Sequence, residues 1–314
     1  MPLSLRRGTV TAIIEEHDRF VRLEVDEVSC VAYPRLTGPV ALGDEVLVNV
    51  QARQLALGSG GFDIVYANLT RGLELEAEPG AHVMPLPYTP VQAAVRHAEE
   101  DGDLATSLDG MPVVCCTVHS QVAPVCAALR DLRVAYVQVA GGALPVALSD
   151  TLRALRERGL LAHLVAAAPC LEAEVQCVNV YSALAWCATR ADAVVCSVGP
   201  GLVGTASELG HGAVAAASAA NAASALGGRP ILAVRISDRD ERDRHRGISH
   251  HASTVEALCL GEVTVAWPDA VDASGWREAC AGLPLSFMGR GPEEEPRFFE
   301  AAYAAGLFAR AEVA

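Results

Sequence analysis

Ala193-Val-Val-Cys-Ser-Val-Gly-Pro-Gly-Leu-Val-Gly-Thr205 is the stretch whose reading decides the fold. It begins with an uncharged apolar run, passes through a glycine-rich turn and leads into an alanine-rich segment that ends near residue 226. A strand with no polar face, a tight turn and a long helix make the unit of a parallel sheet covered by helices on both faces. The same alternation recurs on either side of it. Apolar strands are expected at 113–118, 134–139, 161–167, 193–198, 230–236 and 263–267. Helices are expected from the first strand to residue 132, then over 149–158, 171–190, 203–226 and 253–260, with two more around Met288-Gly-Arg-Gly-Pro292 in the tail. The pattern predicts an α/β, Rossmann-like, doubly wound and mainly parallel sheet over residues 111–314.

Residues 1–72 read differently. Short alternating segments such as Gly8-Thr-Val-Thr-Ala-Ile-Ile14, Phe20-Val-Arg-Leu-Glu-Val25 and Asp44-Glu-Val-Leu-Val-Asn49 predict a small β-barrel. Gly58-Ser-Gly-Gly61 reads as a hairpin turn within it. Between the two regions, 73–110 is expected to be a linker and a helix. Pro79, Pro85, Pro87 and Pro90 interrupt it, and Thr89 followed by Pro90 has the form of a helix start.

Composition narrows the chemistry. The 314 residues exceed the roughly 150 of one ordinary domain. With 51% hydrophobic but only 5% aromatic residues, the core has to be built from Ala, Val and Leu. The net charge of −14 speaks against nucleic acid or an anionic membrane surface as a partner. The barrel also lacks the basic, aromatic platform that binds single strands. All 24 basic residues are Arg. A Schiff-base or P-loop lysine is therefore excluded, and an anion would be held by Arg, backbone N–H groups or a metal. The ten cysteines show no Cys-x-x-Cys spacing and sit in apolar contexts, which points to free thiols and a cytoplasmic location. Arg6 and Arg7 are not followed by the apolar run of a secretory signal, and no uninterrupted apolar stretch reaches the roughly 20 residues of a spanning helix.

In an open parallel sheet ligands bind beyond the carboxyl ends of the strands. There the sequence places His119-Ser120, Gly141-Gly142, Ala168-Pro-Cys170, Gly199-Pro-Gly201 with Gly204-Thr205, and the run Ser237-Asp-Arg-Asp-Glu-Arg-Asp-Arg-His-Arg-Gly-Ile-Ser-His-His251. That run gathers three of the nine histidines beside four arginines. His119, His211, His245, His250 and His251 are the candidates for proton transfer. Ser120, Gly141, Gly142, Gly199, Gly201, Gly204, Thr205, Arg235, Arg242 and Arg246 are the candidates for binding an anion. The Gly199 loop is expected to cradle it at a helix N-terminus. Glu208 and His211 are expected on one face of that helix. Ser253 with Glu256 forms a capping box that would leave His250 and His251 just ahead of a helix start. A divalent metal is a candidate cofactor, held by His245, one of the His250–His251 pair and Asp238, Asp240 or Asp243. Cys170 is a candidate nucleophile.

The set Gly199-Pro-Gly-Leu-Val-Gly-Thr205, Gly210-His-Gly212, Arg242-Asp-Arg-His-Arg-Gly-Ile-Ser-His-His251 and Met288-Gly-Arg-Gly291 resembles an uncharacterised bacterial family, a domain of unknown function. The resemblance extends over nearly the whole chain and implies no activity. From the residues, the expected role is to bind, and act on, a small anionic metabolite by hydrolysis or transfer. The rival readings are a metabolite-binding regulator without catalysis and a structural homo-oligomer.

Overall fold

A computed structural model describes residues 3–55 and 60–313, so the turn expected at Gly58-Ser-Gly-Gly61 lies in part outside the described residues. The chain divides into two compact units, Met1–Val95 and Arg96–Ala314.

In the first unit β1 (Leu5–His17), β2 (Phe20–Val25), β3 (Val28–Ala32), β4 (Glu45–Asn49) and β5 (Asp63–Asn68) close into a barrel, with short helices α1 (Pro34–Thr37) and α2 (Gln51–Gln54) between strands. The strand order is β1-β2-β3-β5-β4. The alternation seen in sequence is the reason: one side of each strand supplies the core, including Val10, Leu23, Val25, Val46, Val48 and Val65. Asp26 and Glu27 have φ of 50° and 64° in the β2–β3 hairpin, the positive values that a tight two-residue turn demands. Residues 74–94 are irregular. No helix starts at Thr89, where prolines surround a Tyr88 at φ 59°. The Thr89 hydroxyl instead donates to the Leu86 carbonyl at 2.9 Å.

The second unit is a seven-stranded sheet. In chain order it contains β6 (Pro112–Cys116), α3 (Val122–Ala128), β7 (Val134–Val139), α4 (Asp150–Glu157), β8 (His163–Ala167), β9 (Val175–Cys177), α5 (Val180–Cys187) and β10 (Ala193–Val198). It continues with α6 (Ala215–Ala225), β11 (Arg229–Ala233), β12 (Ile236–Ser237), β13 (Gly247–Ile248), α7 (His250–Leu258), β14 (Thr264–Ala266), α8 (Trp276–Ala279) and α9 (Pro296–Ala311). The order is β14-β11-β6-β10-β7-β8-β9, with every pair parallel. One face is packed by side chains of α3, α4 and α9, the other by those of α5, α6 and α7. Ala219, Ala220, Ala222 and Ala223 of α6 are buried, and these small side chains let the helix lie close on the strands. The α/β, doubly wound architecture behind a small barrel is thus the one expected.

Three element boundaries differ from expectation. Residues 171–190 are not one helix: Val175–Cys177 adds an edge strand to β8, and Asn179 then caps α5, its side chain accepting from the Tyr181 and Ser182 N–H groups at 2.9 and 3.1 Å. The alanine helix does not start near 203 but at Ala215: 199–211 is a loop and 212–214 a single 3-10 turn, with Gly212 packed against the Gly141 backbone. Helix α7 starts at His250 rather than after His251, since Ser249 is its cap and accepts from the His251 N–H at 3.2 Å. No helix among the described residues is long and apolar enough to cross a membrane.

Candidate functional site

Two groups of side chains form at the carboxyl edge of the sheet. The first is built on Gln121. This fully buried amide accepts from the Thr117 and Val118 N–H groups at 2.9 and 3.2 Å and donates to the Ala233 and Val234 carbonyls, both at 3.1 Å. It ties the end of β6 to the end of β11, which is where Arg235 leaves the sheet. His119 turns toward the neighbouring strands. Its Nδ1 lies 3.2 Å from the Val198 carbonyl and its Nε2 lies 2.7 Å from Ser149 Oγ, with the Tyr136 hydroxyl 3.4 Å from Nδ1. The carbonyl can only accept, so Nδ1 carries the ring proton and the serine hydroxyl donates to Nε2. Burial holds this imidazole neutral, pushing it down to about 4 against the partial opposition of the Val198 carbonyl. Ser149 is also the α4 cap, accepting from the Leu152 N–H at 3.1 Å. Ser120 is half-buried beside this group.

The glycines expected to cradle an anion pack backbone on backbone instead. A Cβ on Gly142 would lie 2.2 Å from the Gly199 carbonyl oxygen, one on Gly199 2.1 Å from that of Ala143, and one on Gly212 1.9 Å from that of Gly141. The loops after β7 and β10 are sewn together by Ala143 N–H to the Pro200 carbonyl at 2.8 Å and Val203 N–H to the Gly141 carbonyl at 2.9 Å. Gly201, at φ 70°, and Thr205 are exposed, and Gly204 forms an antiparallel bridge with His211. With α6 starting at Ala215, the Gly199 loop does not meet a helix N-terminus.

The second group is the histidine cluster. Strands β12 and β13 pair as a small antiparallel hairpin, and His245 lies in the turn of loop 238–246 between them. His250 and His251 open α7, and His211 comes from the loop after β10, not from a helix shared with the exposed Glu208. The rings of His211 and His251 stack with centroids 3.8 Å apart. His250 stands 4.5 Å from His251 and 5.4 Å from His211, and His245 stands 4.8 Å from both His250 and His251. His211, His245 and His251 are buried, while His250 is half-buried.

Neighbouring charges hold the cluster in place. Arg235, itself buried, donates from Nη1 to His251 Nδ1 at 3.1 Å and from Nη2 to the Asp240 carboxylate at 3.3 Å. Asp240 also takes the Arg242 N–H, Nε and Nη2 at 3.1, 2.9 and 2.8 Å. Below them the buried Glu295 accepts from Ser237 Oγ at 2.7 Å and from Arg290 Nε at 2.9 Å. Arg246 pairs with Asp243 at 3.3 Å and Arg297 with Asp238 at 2.9 Å. Arg235, Arg242 and Arg246, expected to clamp an anion, are therefore engaged by carboxylates of their own hairpin, and each aspartate expected to join a metal is engaged by an arginine. Burial, and behind it the Arg235 charge, lowers His245 to about 3; burial with the His211 charge lowers His251 to about 2. Burial also lowers His211 and His250. All four rings are thus neutral at pH 7.

Some of their nitrogens are unsatisfied. Neither ring nitrogen of His211 has a hydrogen-bond partner of normal geometry, and neither does His250 Nε2. Burying such a group unpaired costs about 1–3 kcal/mol. One ligand nitrogen from each of His211, His250 and His251 lies within 4.8 Å of the others. Beside them opens a cleft of about 550 Å³ lined by Ala206, Glu208, Asp243, Arg244, Ile248, His250, Ser253 and Thr254. Cys170 is buried, and burial raises its thiol to about 12, which removes it as a nucleophile.

A family model described as "Protein of unknown function (DUF3866)" matches residues 29–280. The chain belongs to this family. No curated protein matches it. Among solved structures, the crystal structure of YjeQ from Thermotoga maritima is similar at 17% identity with a TM-score of 0.15. The match covers 52% of this chain, which spans about half, 51%, of that one. For this member of the family, then, geometry alone speaks to function. Gln121 follows His119 and Ser120 in the segment expected at the sheet edge, whereas the contributions of Ser149 and Glu295 do not show in sequence, where each reads as an ordinary polar residue. Asn221, within the alanine run of α6, has a structural role: it donates to the Leu258 carbonyl at 3.2 Å and accepts from the Leu260 N–H at 2.7 Å, closing the end of α7.

Proposed function

We propose that the cleft at the carboxyl edge binds a small anionic molecule and that the histidine cluster beside it acts on the bound molecule by hydrolysis or group transfer. The observation that carries this reading is Arg244. Three other arginines on the hairpin or its approach, at 235, 242 and 246, are paired with carboxylates. Arg239 and Arg244 have no hydrogen bond or ion pair to a described residue, and of the two Arg244 lines the cleft. A cation left over at the mouth of a concave site, beside the hydroxyl residues Ser253 and Thr254 and the imidazole of His250, has the composition of an anion site. The neutral rings suit ligation rather than charge pairing. Ten free cysteines, nine of them buried, support a reducing cytoplasmic setting.

The test is a thermal-shift and turnover screen of phosphorylated and carboxylated metabolites on the full chain. A ligand should raise the melting temperature of the wild type and not of Arg244→Ala, whose own melting point stays within about 2 °C because an exposed side chain is removed. Turnover with the hit separates an enzyme from a metabolite-binding regulator. A hit that binds Arg244→Ala as well as wild type would move the site elsewhere.

A further inference from the structure

We infer that His211, His250 and His251 together form a binding site for one divalent transition-metal ion of the zinc class. The inference deepens the reading above, because the ion would face the cleft and its anion, but it rests on the trio alone.

The geometry comes first. Three atoms no more than 4.8 Å apart leave a point within about 2.8 Å of all three. Zinc–imidazole bonds are about 2.0–2.1 Å long, so each ring needs to move by less than about 1 Å. That is within reach of small rotations about the side-chain bonds. The three ligands come from two chain segments that the fold holds independently. His211 is fixed by its bridge to Gly204, and the other two by the first turn of α7. A site closed from two sides in this way exists only in the folded chain.

The second observation is the unmet polar capacity. His211 is only 4% exposed, yet no group of normal geometry meets either of its nitrogens, and His250 Nε2 is in the same position. Structural histidines in a core normally donate from one nitrogen and accept on the other. Beyond a contact with the Glu208 backbone carbonyl that falls short of normal hydrogen-bond geometry, this buried imidazole, packed at 3.8 Å against a second one, keeps a nitrogen lone pair for a ligand that the two share.

The donor set then selects the ion. Three imidazoles without a carboxylate suit Zn, Cu, Ni, Co or Fe and not Mg or Ca, which take oxygen ligands. Neutral imidazole is the ligating form. Arg235 Nη1 occupies His251 Nδ1 when no ion is bound, so binding competes with that hydrogen bond; the Asp240 carboxylate, already 3.3 Å from Nη2, remains to hold the guanidinium. Three protein ligands leave a coordination position open, as catalytic zinc sites do. Of the trio, His250 lines the cleft, so the open position has access to it.

The experiment uses the purified full chain, stripped with a chelator and titrated with Zn²⁺ or Co²⁺ alone. One ion should bind per chain, and Co²⁺ should give the visible spectrum of a low-coordinate nitrogen site. His250→Ala and His211→Asn should each weaken binding by more than the roughly 10–100-fold that loss of an outer partner costs. His250→Ala removes no hydrogen bond of normal geometry and His211→Asn keeps a side-chain donor for the Glu208 carbonyl, so both variants should fold; their metal-free melting curves check this. Arg244→Ala should bind the ion as wild type does. Wild-type protein that binds neither ion, or stoichiometric binding indifferent to both histidine changes, overturns the assignment. Because no anion is present, failure here leaves the cleft's anion binding standing, and a failed metabolite screen leaves the metal site standing.

Discussion

Replacing Gly212 by Ala tests whether the glycines at the carboxyl edge exist for packing. A Cβ there would lie 1.9 Å from the Gly141 carbonyl oxygen and 2.5 Å from its carbon, backbone atoms with no rotamer to escape into. The loops after β7 and β10 would have to part by more than about 1 Å to restore contact distance. The same Gly141 carbonyl accepts from the Val203 N–H at 2.9 Å, and that bond stretches as the loops separate. Overpacking typically costs about 1–3 kcal/mol and a lost hydrogen bond about 0.5–1.5 kcal/mol, so the variant should lose about 2–4 kcal/mol. For a unit of this size that corresponds to a fall of about 4–16 °C in melting temperature. The assay is built into the chain: Trp186, Trp267 and Trp276 are its three tryptophans, and all lie in the Arg96–Ala314 unit. Their fluorescence follows the melting of that unit alone. Gly275→Ala is the control. Nothing lies within 4 Å of its added carbon and its φ is −74°, so its melting point should stay within about 2 °C of wild type. If Gly212→Ala melts like Gly275→Ala but loses ligand binding, the glycine is there for a ligand and the packing account is refuted.

Acid should destabilise the Arg96–Ala314 unit through His119. Its folded value of about 4 lies below the ordinary 6.5, so the stability it contributes is present above pH 6.5 and lost as pH falls to about 4, by at most about 3 kcal/mol and less for its partial exposure; denaturant melts of wild type and His119→Gln across this window check it, and an equal slope in both would sink the idea. Asp240→Ala should cost about 3–5 kcal/mol by leaving the buried Arg235 uncompensated, read by the same tryptophan melts; a change under about 1 kcal/mol would mean that the hairpin does not depend on this pairing. A thiol reagent applied to the native chain should label Cys259 first, since it is the one cysteine not buried, with the other nine reacting on unfolding; fast labelling of Cys170 would contradict the packing of its loop.

The sheet was legible because its long strands carry no polar face. Val113-Val-Cys-Cys116 or Ala193-Val-Val-Cys-Ser-Val198 can only be satisfied between two layers of helix, and helix-rich spacers between them leave the parallel arrangement as the economical one. Val175–Cys177 was not legible: three residues at a sheet edge are too few to show a period, and the apolar residues around them fit a helix equally well. The start of α6 was misplaced for a similar reason. Val203, Leu209 and His211 continue an apparent helical pattern upstream of the alanines, while the feature that breaks it, the contact of Gly212 with Gly141, joins positions far apart in the chain.

The site was half legible, and the missing half has a single physical cause. Sequence shows which residues can donate or bear charge but not which of them the fold has already paired. Arg235, Arg242 and Arg246 read as an anion clamp until Asp240 and Asp243 are seen to engage them. Gly141, Gly142 and Gly199 read as a cradle until backbone is seen to fill the space beside them. His245, by contrast, is tied to Ser249 at 2.7 Å, whereas His211 was one candidate among five and turns out to be the buried one left unsatisfied. Function in this chain is therefore read by subtraction. Once the internal pairs are removed, the guanidinium groups of Arg239 and Arg244 and the unmet ring nitrogens of His211 and His250 remain, and of these Arg244 and His250 line the cleft.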